Sequence, residues 1–332
     1  MSRRRPPAAV VVTALATAAT LAAGTAPATA GDPSVTGTLD YLRSISGTGT
    51  IAGQHNKEPN SDPARWTRRV HEITGDHPGL WGGDFLFAQD DVDNRPTMVD
   101  QAVNEWANGA VVTLTWHVCP PTQGTSCTWE DGVTSSLSEE QWGELMTDGS
   151  PLNQAWKARL DEAVPYLREL RDAGVQVLWR PLHEMNEGWS WWGGRPGPEG
   201  SAGLYRITHD YLTGRQGLDN LIWNWNVKDV EIGSIGDYWP GDELVDVASL
   251  DIWAKDEPST EDYEAMRAVA GDRPIALGEV GRVPRPETLD AQPLWTYFMV
   301  WAEYLDTTEP AELQRTYWDD RVLVLDELDR GD

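Results

Sequence analysis

The chain has 332 residues and a formal net charge of −27, with 53 acidic side chains against 26 lysines and arginines, and 18 tryptophans against 3 phenylalanines. So acidic a surface repels nucleic acid and anionic membranes and leaves a neutral or cationic partner. After residue 30 no stretch is long and apolar enough to span a bilayer, so no membrane partner is expected either.

Residues 1–30 read as a secretory signal peptide. Arg3, Arg4 and Arg5 form a positive head, Ala8 to Ala23 an uncharged run of small and apolar residues, and Ala28-Thr29-Ala30 a small-residue cleavage site. Ser2-Arg3-Arg4 is compatible with twin-arginine export. Cleavage would leave 302 of the 332 residues and, with three arginines and no acids removed, a net charge of about −30. The expected product is a secreted monomer whose residues 31–332 form one domain, with no room for a separate binding module.

After the leader, strand-like and helix-like runs alternate. Strands are predicted over 48–55, 80–87, 110–118, 175–182, 221–227, 245–254, 275–280 and 297–301. Several are almost continuously apolar, as strands covered on both faces are. Helical patterns fill 62–72, 96–108, 153–173, 203–213, 261–270 and 310–317, while the connections after the fifth and seventh strands are irregular. Eight strands with intervening helices in about 300 residues predict a single (β/α)8 TIM barrel. Cys119 and Cys127 stand eight apart in a Pro/Thr/Gly/Ser-rich segment, and in an exported chain that spacing predicts a disulfide. A metal site is the poorer reading, because the residue four after His183 is Glu187, which breaks the His-Glu-x-x-His pattern. Neither a metal nor a cofactor is expected.

Barrel enzymes keep their chemistry at the C-terminal ends of the strands. In this register those ends carry Gln54-His55-Asn56, Gly82-Gly83-Asp84, Trp116-His117, His183-Glu184, Trp223 to Asn226, Asp251 and Trp253, Gly278-Glu279, and Trp301. Trp189, Trp191 and Trp192 follow Glu184 closely, and indole faces suit the flat apolar faces of sugars. Breaking a glycosidic bond needs one carboxylic acid to protonate the leaving oxygen and a second carboxylate across the sugar; Glu184 and Glu279 are the candidates. Arg180 shares strand parity with Glu184 and can point inward to Glu279, and Trp253 can offer its indole N–H. The competing readings are a structural ion pair at Arg180 and a purely structural role for the acids and tryptophans.

The run Trp-Arg-Pro-Leu-His-Glu-Met-Asn at 179–186, followed by Trp189-Ser-Trp-Trp-Gly193, resembles the signature of glycoside hydrolase family 26, which is dominated by β-mannanases. The resemblance extends through Gly53-Gln-His55, Val112 to His117, Val245 to Trp253, Ala276 to Gly281 and Val322 to Leu328, in the family's order and over almost the whole chain after the leader. It implies a (β/α)8 fold and retaining hydrolysis without a required metal. It matches Glu184 to the acid/base and Glu279 to the nucleophile, and Arg180 to the arginine beside the latter. His117 and His183 match residues that touch the sugar at the cleavage point. Trp301 resembles the platform beneath that sugar, and Trp189 an aromatic wall on the leaving-group side. One position departs: after Asp251-Ile252 the family usually has a tyrosine bonded to the nucleophile, whereas this chain has Trp253, which can donate but not accept. The implied partner is a β-mannan polysaccharide (mannan, glucomannan or galactomannan). A mixed-linkage β-glucanase, a β-1,3-xylanase and a non-catalytic carbohydrate-binding barrel remain open.

Overall fold

A computed structural model describes residues 37–329; the expected leader lies outside the described residues. Eight parallel strands, β1 (Thr50–His55), β2 (Leu80–Asp84), β3 (Val111–Trp116), β4 (Val177–Pro181), β5 (Leu221–Lys228), β6 (Val247–Ile252), β7 (Ile275–Val280) and β8 (Trp295–Val300), pair in sequence order. β1 bonds to both β2 and β8, which closes the (β/α)8 barrel. Helices Arg65–Thr74, Arg95–Ala107, Ser201–His209, Thr260–Ala270, Pro286–Ala291 and Pro310–Tyr317 cover the outside. After β5 the chain turns through 3-10 segments, Ile232–Tyr238 and Asp242–Leu244, where the sequence already reads as irregular.

One expected helix is two. The run predicted over 153–173 divides into Pro151–Asp161 and Val164–Asp172, because Pro165 has no N–H to donate and is tolerated only in a first helical turn. Further elements carry no clear signal in the sequence, among them helices Thr38–Ile45, Gln89–Asp93, Glu139–Met146 and Pro286–Ala291, and a short strand β9 (Val322–Leu323) that pairs with the start of β1.

Alternation along each strand sorts side chains into an outer set under the helices and an inner set stacked in layers. The lowest inner layer is apolar: Ile51, Leu80, Val111, Leu178, Ile222, Val247, Ala276 and Tyr297 pack as one cluster. Tyr41, Leu42 and Ile45 of helix Thr38–Ile45 join that cluster and close the barrel's base. Two residues further along the strands the inner positions turn polar, and Asn224 Nδ2 donates to the Tyr297 hydroxyl at 2.7 Å. One more step brings Thr115, Asn226 and Asp251 to the upper rim, where Thr115 stands level with Arg180, and all four are buried. The barrel therefore grades from an oily floor to a charged mouth.

Candidate active site

Arg180 is the inward residue near the end of β4 and is wholly buried. Its Nη1 donates to Asp251 Oδ2 at 2.7 Å, and its Nη2 donates to Thr115 Oγ1 at 2.9 Å and to Glu279 Oε1. A buried guanidinium keeps its charge, and the cost of taking it out of water is offset only where carboxylates face it, as two do here. Burial raises the proton affinity of Asp251, against the pull of Arg180 and with the Glu279 charge adding to it. A shift of register between Leu250 and Asp251 brings Asp251 level with Glu279 on β7. Such an irregularity re-aims side chains. Gly278 leaves the space this needs, since a Cβ there would lie 2.5 Å from Asp251 Oδ1 and 2.8 Å from Asn226 Nδ2.

Glu279 also accepts from Trp253 Nε1 at 3.2 Å. The tryptophan that stands where a tyrosine is usual therefore reaches the same carboxylate by its own N–H. It packs edge-on against Tyr304, with ring centres 4.9 Å apart.

Glu184 lies three residues beyond β4, and both it and Leu182 adopt positive φ, 50° and 53°. Left-handed backbone at two bulky residues is costly and persists only where surrounding contacts hold it. Asn226 supplies one such contact: its Oδ1 accepts the Glu184 N–H at 2.7 Å, while its Nδ2 donates to Asp251 Oδ1 at 2.7 Å. One amide thus ties the backbone of one acid to the side chain of another. The Glu184 carboxylate accepts from Trp189 Nε1 at 2.5 Å and has Lys228 Nζ 3.5 Å away. Burial pushes its pKa from 4.5 up to about 7, the Glu279 charge adds to that rise, and Lys228 and the Trp189 N–H pull the other way.

Glu184, Asp251 and Glu279 each place a carboxylate oxygen within 4.8 Å of the others. Three acids so close are a conceivable cation site, but Arg180 already supplies the positive charge between two of them.

The histidines take different states. Asp84 Oδ2 lies 2.5 Å from His117 Nδ1, and Asp84 Oδ1 accepts the His117 N–H at 3.1 Å. Burial works against a charged His117, yet Asp84 more than offsets it, and the pKa rises above 6.5. Burial pushes His183 well below 6.5, and His117, at 4.5 Å between ring centres, adds to the fall. His55 is pushed to about 3 by burial and stacks under Trp301 at 4.0 Å with 14° between the planes. A neutral imidazole thus braces the indole.

These groups meet in a cleft of about 640 Å³, lined by His117, His183, Glu184, Trp189, Trp253, Glu279 and Trp301 together with Trp129, Lys228, Lys57, Glu303 and Tyr304. Arg180 and Asp251, candidates at the strand ends, are wholly buried beneath the cleft, where Arg180 reaches Glu279 as expected and Asp251 accepts from Arg180 and Asn226. Of the three tryptophans after Glu184 only Trp189 faces the cleft. Trp191 and Trp192 are buried, donating to the carbonyls of Val118 and His183 at 2.8 Å each.

Cys119 and Cys127 form the expected disulfide. The loop they close is held by Arg159, which donates to the carbonyls of Gln123 and Gly124, and Gly132 fits against the Cys127 sulfur. The loop leads into Trp129, which stacks on Trp189 with ring centres 5.4 Å apart and planes 20° apart. Asp84 and Asn226 stand among the strand ends expected to face the site, but their partners carry no sequence signal, and Trp129 and Lys228 lie outside the candidates named above. Lys228 had one usable signal, as a charge closing the apolar strand β5.

The family profile described as glycosyl hydrolase family 26 matches residues 31–326. The chain belongs to that family. Among family 26 structures it resembles GH26A from a Muricauda species, at 35% identity and a TM-score of 0.83, over 88% of this chain and 96% of that one. The β-mannanase of a symbiotic protist of the termite Reticulitermes speratus, solved with a gluco-manno-oligosaccharide, superimposes with a TM-score of 0.75 at 26% identity, over 87% of this chain and 92% of that one. A mannan endo-1,4-beta-mannosidase of Thermothelomyces thermophilus is 32% identical over 90% of this chain. The chain spans 62% of that relative's length, and 45% and 42% of two Piromyces relatives of the same description.

Proposed function

We propose that the protein is a secreted, retaining endo-β-1,4-mannanase acting on mannan, glucomannan or galactomannan. The observation that carries the reading is the pairing of Glu184 and Glu279 across the cleft, oxygens within 4.8 Å, in unlike surroundings. Glu184 is buried beside an indole and holds its proton to about pH 7. Glu279 accepts from a guanidinium and an indole N–H, donors that suit an attacking carboxylate. Retaining glycosidases have carboxyl groups ~5–5.5 Å apart, whereas inversion needs ~6.5–9.5 Å to admit a water.

In the first step a Glu279 oxygen attacks the anomeric carbon. The Glu184 proton passes to the departing glycosidic oxygen, the C–O bond breaks, and a glycosyl ester remains on Glu279. In the second step the Glu184 carboxylate takes a proton from water, the water oxygen attacks the same carbon, and Glu279 leaves as a carboxylate. Trp301 offers a stacking face for the reacting sugar, with His117 and His183 at its edge. Trp189 and Trp129 wall the leaving-group side. The surface charge, strongly negative, is compatible with a neutral polysaccharide. Support for mannan comes from the descriptions of the relatives above.

The test is reducing-sugar release from mannan, lichenan and β-1,3-xylan, with the product anomer read by NMR. Cleavage of mannan with retention is expected. Activity on lichenan and none on mannan overturns the sugar, and an inverted anomer overturns the mechanism. Glu184→Ala and Glu279→Ala should each lower hydrolysis by several orders of magnitude while oligosaccharide binding persists. A wild type that binds and never cleaves leaves only a carbohydrate-binding barrel.

A further inference from the structure

Lys228 is the last residue of β5, and its side chain emerges into the cleft. Its backbone is clamped by Asn186, whose Oδ1 accepts the Lys228 N–H at 2.7 Å and whose Nδ2 donates to the Lys228 carbonyl at 2.9 Å. The backbone from which the side chain starts is therefore fixed, and the ammonium is held by the carboxylates around it. It sits 2.6 Å from Glu187 Oε2 and 3.5 Å from Glu184 Oε2, so it is shared between an acid with no part in the chemistry and the acid that donates the proton.

A carboxyl that is first acid and then base needs two proton affinities within one turnover. Burial and the Glu279 charge keep Glu184 protonated in the free enzyme. Once Glu279 is esterified its charge is gone, and a nearby cation makes the carboxylate easier to form. We propose that Lys228, tethered by Glu187, is the positioning residue that keeps Glu184 able to ionise, so that one carboxyl serves both steps. This rests on the reading of Glu184 as the acid/base. The other groups around Glu184 cannot take that part. Glu279 and Asp251 are acids, Arg180 is engaged by both of them, His183 is neutral, and His117 is paired with Asp84. Trp189 donates a hydrogen bond and carries no charge.

The experiment is the pH profile of wild type, Lys228→Met, Lys228→Arg and Glu187→Gln on mannan oligosaccharides. In Lys228→Met the basic limb of kcat/KM should move up by about one pH unit, the effect expected of removing an opposite charge at this range. In Glu187→Gln it should move down, because the ammonium is freed toward Glu184 and a like charge is lost. Lys228→Arg should stay near wild type. With an activated aryl β-mannobioside, whose leaving group needs no proton, kcat reports the second step, and its acidic limb should rise in Lys228→Met. A basic limb unmoved in both Lys228→Met and Glu187→Gln overturns the inference and leaves a structural ion pair. A fall in kcat/KM equal at every pH also overturns it, in favour of direct sugar contact. Should Lys228→Met fail to fold, the opposite-signed shift in Glu187→Gln still decides. Near-wild-type activity in Glu184→Ala would instead sink the underlying acid/base reading.

Discussion

Replacing Glu184 by Gln should destroy activity and stabilise the fold, and the second effect has a pH signature. The carboxyl's pKa is about 7 in the folded chain against an ordinary 4.5. At ~1.36 kcal/mol per pKa unit, that gap is worth about 3 kcal/mol. The sign follows from which state binds the proton. Between 4.5 and 7 the folded chain keeps it and the unfolded chain has lost it. Stability therefore falls as pH rises through this window, and the whole penalty is present above it. Glutamine mimics the protonated acid and carries no such penalty. At pH 8 the variant should be more stable than wild type by about 3 kcal/mol, a rise in Tm of roughly 5 °C for a domain of this size. At pH 4 the two should melt together. Scanning calorimetry or urea titration across that range measures the difference. A constant gap at all pH values, or none at pH 8, refutes the assignment of a raised proton affinity to Glu184. Such a cost in stability is what the proposed role of Glu184 as general acid near neutral pH would require.

Trp253→Phe keeps the packing on Tyr304 and deletes the donor to Glu279. A hydrogen bond to a charged group is worth about 1.5–3 kcal/mol, so kcat should fall roughly 10- to 150-fold in steady-state assays, and an unchanged kcat removes Trp253 from the nucleophile's support. Arg180→Met strands two buried carboxylates and should cost about 3–5 kcal/mol, a loss that shrinks on acidification because the acids can then take up protons; melts at several pH values check both parts. Replacing Cys119 and Cys127 by serine frees the loop that leads to Trp129, at a chain-entropy cost of about 2.5 kcal/mol. KM should rise several-fold with kcat little changed, since the stack on Trp189 is loosened while the acids stay put. A kcat loss at constant KM would contradict that division.

Read without coordinates, the chain already disclosed its alternation of strands and helices, because a period of two or of 3.6 is written in neighbouring residues. It disclosed both carboxylates and the disulfide by motif and spacing. Strand parity anticipated that Arg180 reaches Glu279, and the chemistry of an indole N–H that Trp253 can donate there. The single helix expected over 153–173 failed for an equally local reason: Pro165 was weighed against the periodicity around it and underrated.

What only the tertiary structure decided is what stands next to what once the barrel closes. Thr115 and Asp251, the other partners of Arg180, lie 65 and 71 residues away, and Asn226 reaches back 42 residues to hold the backbone of Glu184. Those meetings depend on the stagger of eight strands and on one slipped register beside Asp251, and neither leaves a trace in local pattern. Which of the three tryptophans after Glu184 faces the cleft, and whether a lysine ends beside Glu184, follow from the same closure. A sequence states each side chain's chemistry; proton affinity belongs to its neighbours and its burial, and those exist only in the folded chain.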